Sequence, residues 1–144
     1  MDFPPYNNYV SSAPEETMLL GKKIGALLKP GDIVALQGEL GAGKTVFARG
    51  IASSLGVKEN LTSPTYTVIS EYEAQSLPLY HMDMFRLSGD DDFRLAGGQE
   101  LLYGKGICLV EWPERISLPP TAINVTITIM EDGKRQIRYR FPSQ

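Results

Sequence analysis

The sequence predicts a three-layer α/β domain with a central, mostly parallel sheet and a C-terminal antiparallel hairpin. Three observations predict it. A short apolar strand pattern (residues 32–37) runs into a glycine-rich loop and then a helical pattern (residues 46–55), the unit from which parallel sheets are built. Ile107-Cys108-Leu109-Val110 is a continuous apolar run, as expected of a strand covered on both faces. Residues 123–130 and 136–141 alternate apolar and polar side chains around Glu131-Asp132-Gly133-Lys134, which has the turn chemistry of a hairpin.

Taken in order, residues 1–11 are rich in Pro, Asn, Tyr and Ser and read as an extended arm. Ser12-Ala13-Pro14-Glu15 has the form of a capping box, with Pro and acids suited to a first helical turn. Leu20, Ile24, Leu27 and Leu28 recur at helical spacing, so the first helix presents one apolar face before Pro30-Gly31 stops it. In the next helix Phe47, Ile51 and Leu55 lie four apart and are expected to face the sheet, with Gly56 as the stop. Residues 67–72 and 77–85 read as strands, the second with Pro78 at its entry. Asp90-Asp91-Asp92 is placed to cap a short helix, Gly97-Gly98 breaks it, and residues 99–103 begin another. The 144 residues suit one domain, spanning 1–144, with no repeat or linker in them.

The loop itself is Gly38-Glu39-Leu40-Gly41-Ala42-Gly43-Lys44-Thr45, which fits G-x-x-x-x-G-K-[ST] at every fixed position. Glycines let consecutive backbone N–H groups curl around phosphate oxygens with no Cβ in the way. Lys44 is expected against the β/γ-phosphates and the Thr45 hydroxyl on Mg²⁺. A glycine-rich turn joining core elements is the alternative, but strand, loop and helix in sequence are the context of a P-loop NTPase fold. The helix N-terminus adds its positive end to the phosphate site.

The net charge of −3 argues against nucleic-acid binding over a broad surface, while leaving room for a local basic patch. The single cysteine, Cys108, excludes an internal disulfide and fits a reducing compartment. The first residues lack a basic segment followed by an apolar run, and no apolar stretch reaches bilayer length. The expectation is a soluble, cytoplasmic protein.

A nucleotide site needs a carboxylate near the metal, and an acid ending a buried strand is the usual second partner. Glu111 stands there, after Val110; without the P-loop it would read as a solvated strand-end glutamate. Glu114 is a weaker substitute. Asp83 lies among Met82, Met84 and Phe85, and two readings stay open. Either it is buried against a cation, a metal or donors, or strand alternation leaves His81, Asp83 and Phe85 together on one partly exposed face. His81 reads as a structural hydrogen-bonding group rather than a catalyst. Thr65, in Ser63-Pro64-Thr65, is placed either to sense a γ-phosphate from a switch-like loop or simply within a turn. Trp112 serves ring stacking, a partner contact or packing.

GELGAGKT (38–45), SPTY (63–66), HMDMFR (81–86) and LVEWPER (109–115) stand in the order and spacing of the TsaE family, also called YjeE. The chain resembles it over roughly residues 16–115. The family's third motif usually reads H-x-D-x-Y-R. Phe85 takes the place of that Tyr and removes its hydroxyl, while Asp83 and Arg86 remain.

The resemblance implies a small Mg²⁺-dependent P-loop ATPase of bacterial tRNA threonylcarbamoyladenosine synthesis, weak alone and stimulated by a TsaB–TsaD heterodimer. TsaD would transfer the carbamoyl group to adenosine 37 of tRNAs reading codons that begin with A. By the same resemblance residues 38–45 cradle ATP, Thr45 and Glu111 hold Mg²⁺, and Asp83 places metal or attacking water. Thr65 belongs to a switch-like loop, and Trp112 to the nucleotide side. Two other functions compete. A small-molecule or nucleotide kinase would need an acceptor site and commonly an Arg-rich lid, and no compact Arg cluster or inserted lid is evident. The other is a GTPase switch or a non-catalytic nucleotide-dependent binding module; guanine specificity would call for D-x-x-G or N/T-K-x-D, and neither occurs.

Overall fold

Ile33-Val34-Ala35-Leu36 is apolar at four consecutive positions because both faces of its strand are covered. That strand, β2 (Ile33–Gly38), is the centre of a sheet seen in a computed structural model that describes residues 6–39, 41–61 and 68–142. The other elements are β1 (Asn7–Ser11), α1 (Pro14–Gly25), α2 (Lys44–Ser54), β3 (Ile69–Tyr72), β4 (Leu79–Asp83), α3 (Asp90–Leu95), α4 (Gly98–Leu102), β5 (Ile107–Glu111), β6 (Ile123–Ile129) and β7 (Arg135–Arg140). Their order across the sheet is β1-β7-β6-β2-β5-β4-β3.

The four central strands, β6, β2, β5 and β4, are parallel; β3 on one side and β7 and β1 on the other run antiparallel to their neighbours. The expected hairpin is present as β6–β7, closed by Gly133 at φ 85° and by the Met130 amide donating to Lys134 O at 2.8 Å. Its position differs from a plain edge hairpin. β6 pairs parallel to β2, because Ile123, Val125 and Ile127 continue the core layer of Val34 and Leu36. β1, drawn from the stretch expected to be an extended arm, then covers β7 as the outermost strand.

α1 and α2 lie on one face, where Leu20, Ile24, Phe47 and Ile51 pack on Leu36, Leu109 and Val125. α3 and α4 lie on the other, with Phe93 and Leu102 against Ala35, Met82 and Val110. This is the three-layer arrangement. α1 and α2 approach closely through glycine, since a Cβ on Gly50 would run into the Met18 carbonyl and one on Gly21 into that of Phe47.

The capping box at the start of α1 forms only in part. The N-cap is Ala13, which has no side-chain bond to give, and Glu16 rather than Glu15 reaches back to accept from the Ser12 amide at 3.1 Å. α1 also ends at Gly25, so Leu27 lies past the amphipathic stripe and is exposed. Cys108 is fully buried in β5, and burial pushes its thiol up to about 12, which leaves it an unreactive core residue. Among the described residues, no helix is long and apolar enough to cross a membrane.

Candidate nucleotide site

The parallel strands β2, β5 and β4 end side by side at Gly38, Glu111 and Asp83, and the crevice beyond such strand ends is where open α/β sheets take ligands. Gly38 is constrained by its neighbours, since a Cβ there would come within 2.9 Å of the Ile127 carbonyl. Gly41 (φ 80°) and Gly43 (φ 105°) hold left-handed conformations that favour glycine. Gly43 is the N-cap of α2, so the helix begins at Lys44 with its positive end towards the loop. Such a loop leaves room for an anion against backbone amides. Glu39 is exposed, and its carbonyl accepts from the Ala42 amide at 3.1 Å, while Ala42 is buried. Thr45 follows on the first turn of α2, half-buried. Leu40 and Thr65 lie outside the described residues.

Lys44 and Glu111 come together although they are far apart in the chain. Lys44 Nζ lies 3.9 Å from Glu111 Oε1, and the two residues are 6% and 5% exposed. Nζ also sits 4.5 Å from the centre of the Trp112 ring, a cation–π contact. Trp112 adopts φ 56°, ψ 51°, and is the one non-glycine residue with positive φ among those described. For a bulky residue this left-handed turn costs about 1–3 kcal/mol. It brings the chain round sharply after β5, into Pro113–Arg115, with the indole against Lys44 and 4.9 Å from the Phe85 ring. Phe85 is 47% exposed, and Arg115 lies over it at 5.6 Å.

His81 occupies a different environment from the one alternation suggested. Leu79, His81 and Asp83 do share a strand face, but it is the face covered by α2, and His81 is fully buried. Its Nε2 lies 2.5 Å from Glu111 Oε2. Asp83 is half-buried and stands directly opposite Glu111 in the β4–β5 register. Its amide donates to Val68 O at 2.8 Å, and its Oδ1 accepts from the Phe85 amide at 3.0 Å. The Phe85 amide is thus a donor that receives this carboxylate. Among the described residues, no three His, Cys, Asp or Glu side chains form a metal site by themselves. Mg²⁺ in nucleotide sites is characteristically held by one or two protein oxygens plus phosphates, for which Thr45 and Glu111 have the right chemistry.

One feature was not apparent from the sequence. Arg135, at the start of β7, reaches the glycine loop, its Nε donating to Ala42 O at 3.0 Å and its Nη2 to Gly41 O at 3.2 Å. Beside this contact lies a cavity of about 240 Å³, bounded by Ser11, Pro14, Thr17, Gly41, Gly43 and Arg135.

Both the sequence and the fold match known proteins. The profile of a family described as "Threonylcarbamoyl adenosine biosynthesis protein TsaE" matches residues 11–137. The chain belongs to the TsaE family. It is 43% identical over 130 residues to the "tRNA threonylcarbamoyladenosine biosynthesis protein TsaE" of Treponema pallidum (strain Nichols), covering 89% of this chain and 96% of that one. It is 43% identical over 128 residues to the protein of the same name from Bacillus subtilis (strain 168), covering 88% and 80%. The crystal structure of Bacillus subtilis YdiB superposes with a TM-score of 0.78 at 35% identity, covering 99% of this chain and 90% of that one. The TsaE match extends beyond the four motifs to take in the β6–β7 hairpin as far as Ile137, and so includes Arg135.

Proposed function

We propose that this protein binds and hydrolyses ATP in support of tRNA threonylcarbamoylation at adenosine 37, in tRNAs reading codons that begin with A. In this reading it works with a TsaB–TsaD heterodimer and leaves carbamoyl transfer to that partner. The observation that carries the reading is the meeting of Lys44 with Glu111 beyond the ends of β2 and β5, beside the glycine loop. The names of its relatives support the pathway.

The amides of residues 38–45 and the positive end of α2 would take the phosphates. Lys44 would leave the Trp112 ring for the β/γ-phosphates, and Thr45 and Glu111 would supply oxygens to Mg²⁺. The metal, when bound, neutralises charge on the phosphate oxygens. Asp83, fixed by the Phe85 amide beside Glu111, is suited to orient the attacking water. The Thr65 hydroxyl is assigned to the γ-phosphate side, and Trp112 borders the nucleotide through its stack on Lys44. The cavity by Ser11, Pro14 and Thr17 is the place for the base, next to the loop that holds the phosphates.

The direct test is the ATP hydrolysis rate of the chain alone, with TsaB–TsaD, and with tRNA added. A slow basal rate that rises at least about tenfold with the heterodimer is expected, a barrier change of about 1.4 kcal/mol. No stimulation would overturn the partner assignment. Transfer of the γ-phosphoryl group to a metabolite would favour a kinase instead.

Arg135 supplies a smaller prediction. Arg135→Ala removes two charge-assisted bonds to loop carbonyls at a half-buried position and is expected to weaken ADP binding about 5–20-fold. Isothermal titration calorimetry measures this, and an unchanged dissociation constant would detach the hairpin from nucleotide binding.

A further inference from the structure

We propose that His81 is a positioning residue that commits Glu111 to the site through a single oxygen. The proposal rests on the nucleotide reading above and adds to it the device that aims the acid.

Glu111 is buried at the end of β5, and a buried carboxylate requires donors on both oxygens. Oε2 receives His81 Nε2 at 2.5 Å, and Oε1 faces Lys44 Nζ at 3.9 Å. The two oxygens therefore have different tasks. A carboxylate only accepts, so the hydrogen of the His81–Glu111 bond belongs to Nε2. The other ring nitrogen, Nδ1, is buried and has no hydrogen-bond partner among the described residues. With the ring hydrogen on Nε2, Nδ1 carries a lone pair, and an orphaned buried N–H, the rarer kind of unpaired group in folded proteins, is avoided. Both observations select the Nε2–H tautomer.

The backbone adds to the restraint. The Met84 amide donates to Glu111 O at 3.0 Å, and Asp83 pairs with Glu111 across the β4–β5 ladder, so β4 and the residue that follows it hold both the main chain and the side chain of this residue. With Oε2 occupied, Glu111 is left to address a metal or its water through Oε1 alone, on the Lys44 side. The hydrogen bond of a ligating carboxylate fixes its direction in this way, and loss of such an outer contact typically lowers metal affinity about 10–100-fold.

The chain has one histidine, which makes the test unambiguous. In ¹⁵N-labelled, tag-free protein without nucleotide, a long-range ¹H–¹⁵N spectrum of the ring is expected to show a protonated Nε2 and an unprotonated Nδ1. A proton on Nδ1, or the averaged signals of a free imidazole, would overturn the proposal. The second measurement is Mn²⁺ binding to the protein–ADP complex by electron paramagnetic resonance. His81→Leu is expected to weaken Mn²⁺ binding about 10–100-fold while ADP affinity in EDTA stays within about threefold of the wild type.

His81→Gln carries an N–H donor at nearly the reach of Nε2, and is expected to hold Mn²⁺ within about threefold of the wild type. Unchanged Mn²⁺ affinity in His81→Leu, or a loss in folded His81→Gln equal to that of His81→Leu, would overturn the proposal. Should His81→Leu not fold, the ring spectrum and His81→Gln decide it. Failure of the wild-type chain to bind ADP at all would overturn the nucleotide reading instead, and the ring spectrum would still judge the His81–Glu111 bond.

Discussion

Lys44→Ala is expected to lower ATP hydrolysis about 10²–10³-fold, the equivalent of about 3–4 kcal/mol of transition-state stabilisation. The size of the effect follows from where the ammonium group sits. Lys44 is buried at the first position of α2, where little solvent screens its charge. Its Nζ lies 4.5 Å from the centre of the Trp112 ring and 3.9 Å from Glu111. Alanine leaves the negative charge developing on the transferred phosphoryl group to backbone amides alone. Single-turnover rates at saturating Mg²⁺ and ATP would measure the loss, with thermal melting to show that Glu111 remains accommodated by His81. A rate within threefold of the wild type would remove Lys44 from the chemistry.

Glu111→Gln is expected to retain nucleotide and lose Mg²⁺-dependent turnover, by at least about 100-fold. The substitution is nearly isosteric, so β5 and its pairing with β2 and β4 have no reason to change. What changes is charge. An amide is a poor ligand for a hard divalent cation beside phosphates, and it no longer attracts Lys44. ADP affinity in EDTA should match the wild type, and the Mg²⁺ concentration needed for half-maximal hydrolysis should rise sharply. Normal hydrolysis by this variant would exclude Glu111 from the active site.

The two substitutions concern residues that the sequence itself singled out, and the reason is physical. Lys44 and Thr45 belong to a loop whose glycine requirements are local, and Glu111 ends a run that is apolar because both faces of β5 are covered. β2, α2 and β5 were legible for the same reason. β1 was not, since Asn7 and Asn8 have little strand propensity and the strand exists through its pairing with β7 at the other end of the chain. The His81–Glu111 bond spans 30 positions and requires knowing that β4 lies beside β5. Arg135 is one of three arginines in β7, with Arg138 and Arg140, and nothing in their spacing tells which one crosses 93 positions to the glycine loop. Leu27 was misread because the helical period continued past the point where α1 ends.

The left-handed turn at Trp112 has a spectroscopic consequence. The chain has a single indole, and that turn sets it against the one cation assigned to the phosphates. If nucleotide draws Lys44 away as proposed, the electric field on the excited ring changes and its emission should shift in colour or intensity. Occupancy of the loop can thus be read in real time from the protein's own light, without a dye, an isotope or a coupled assay.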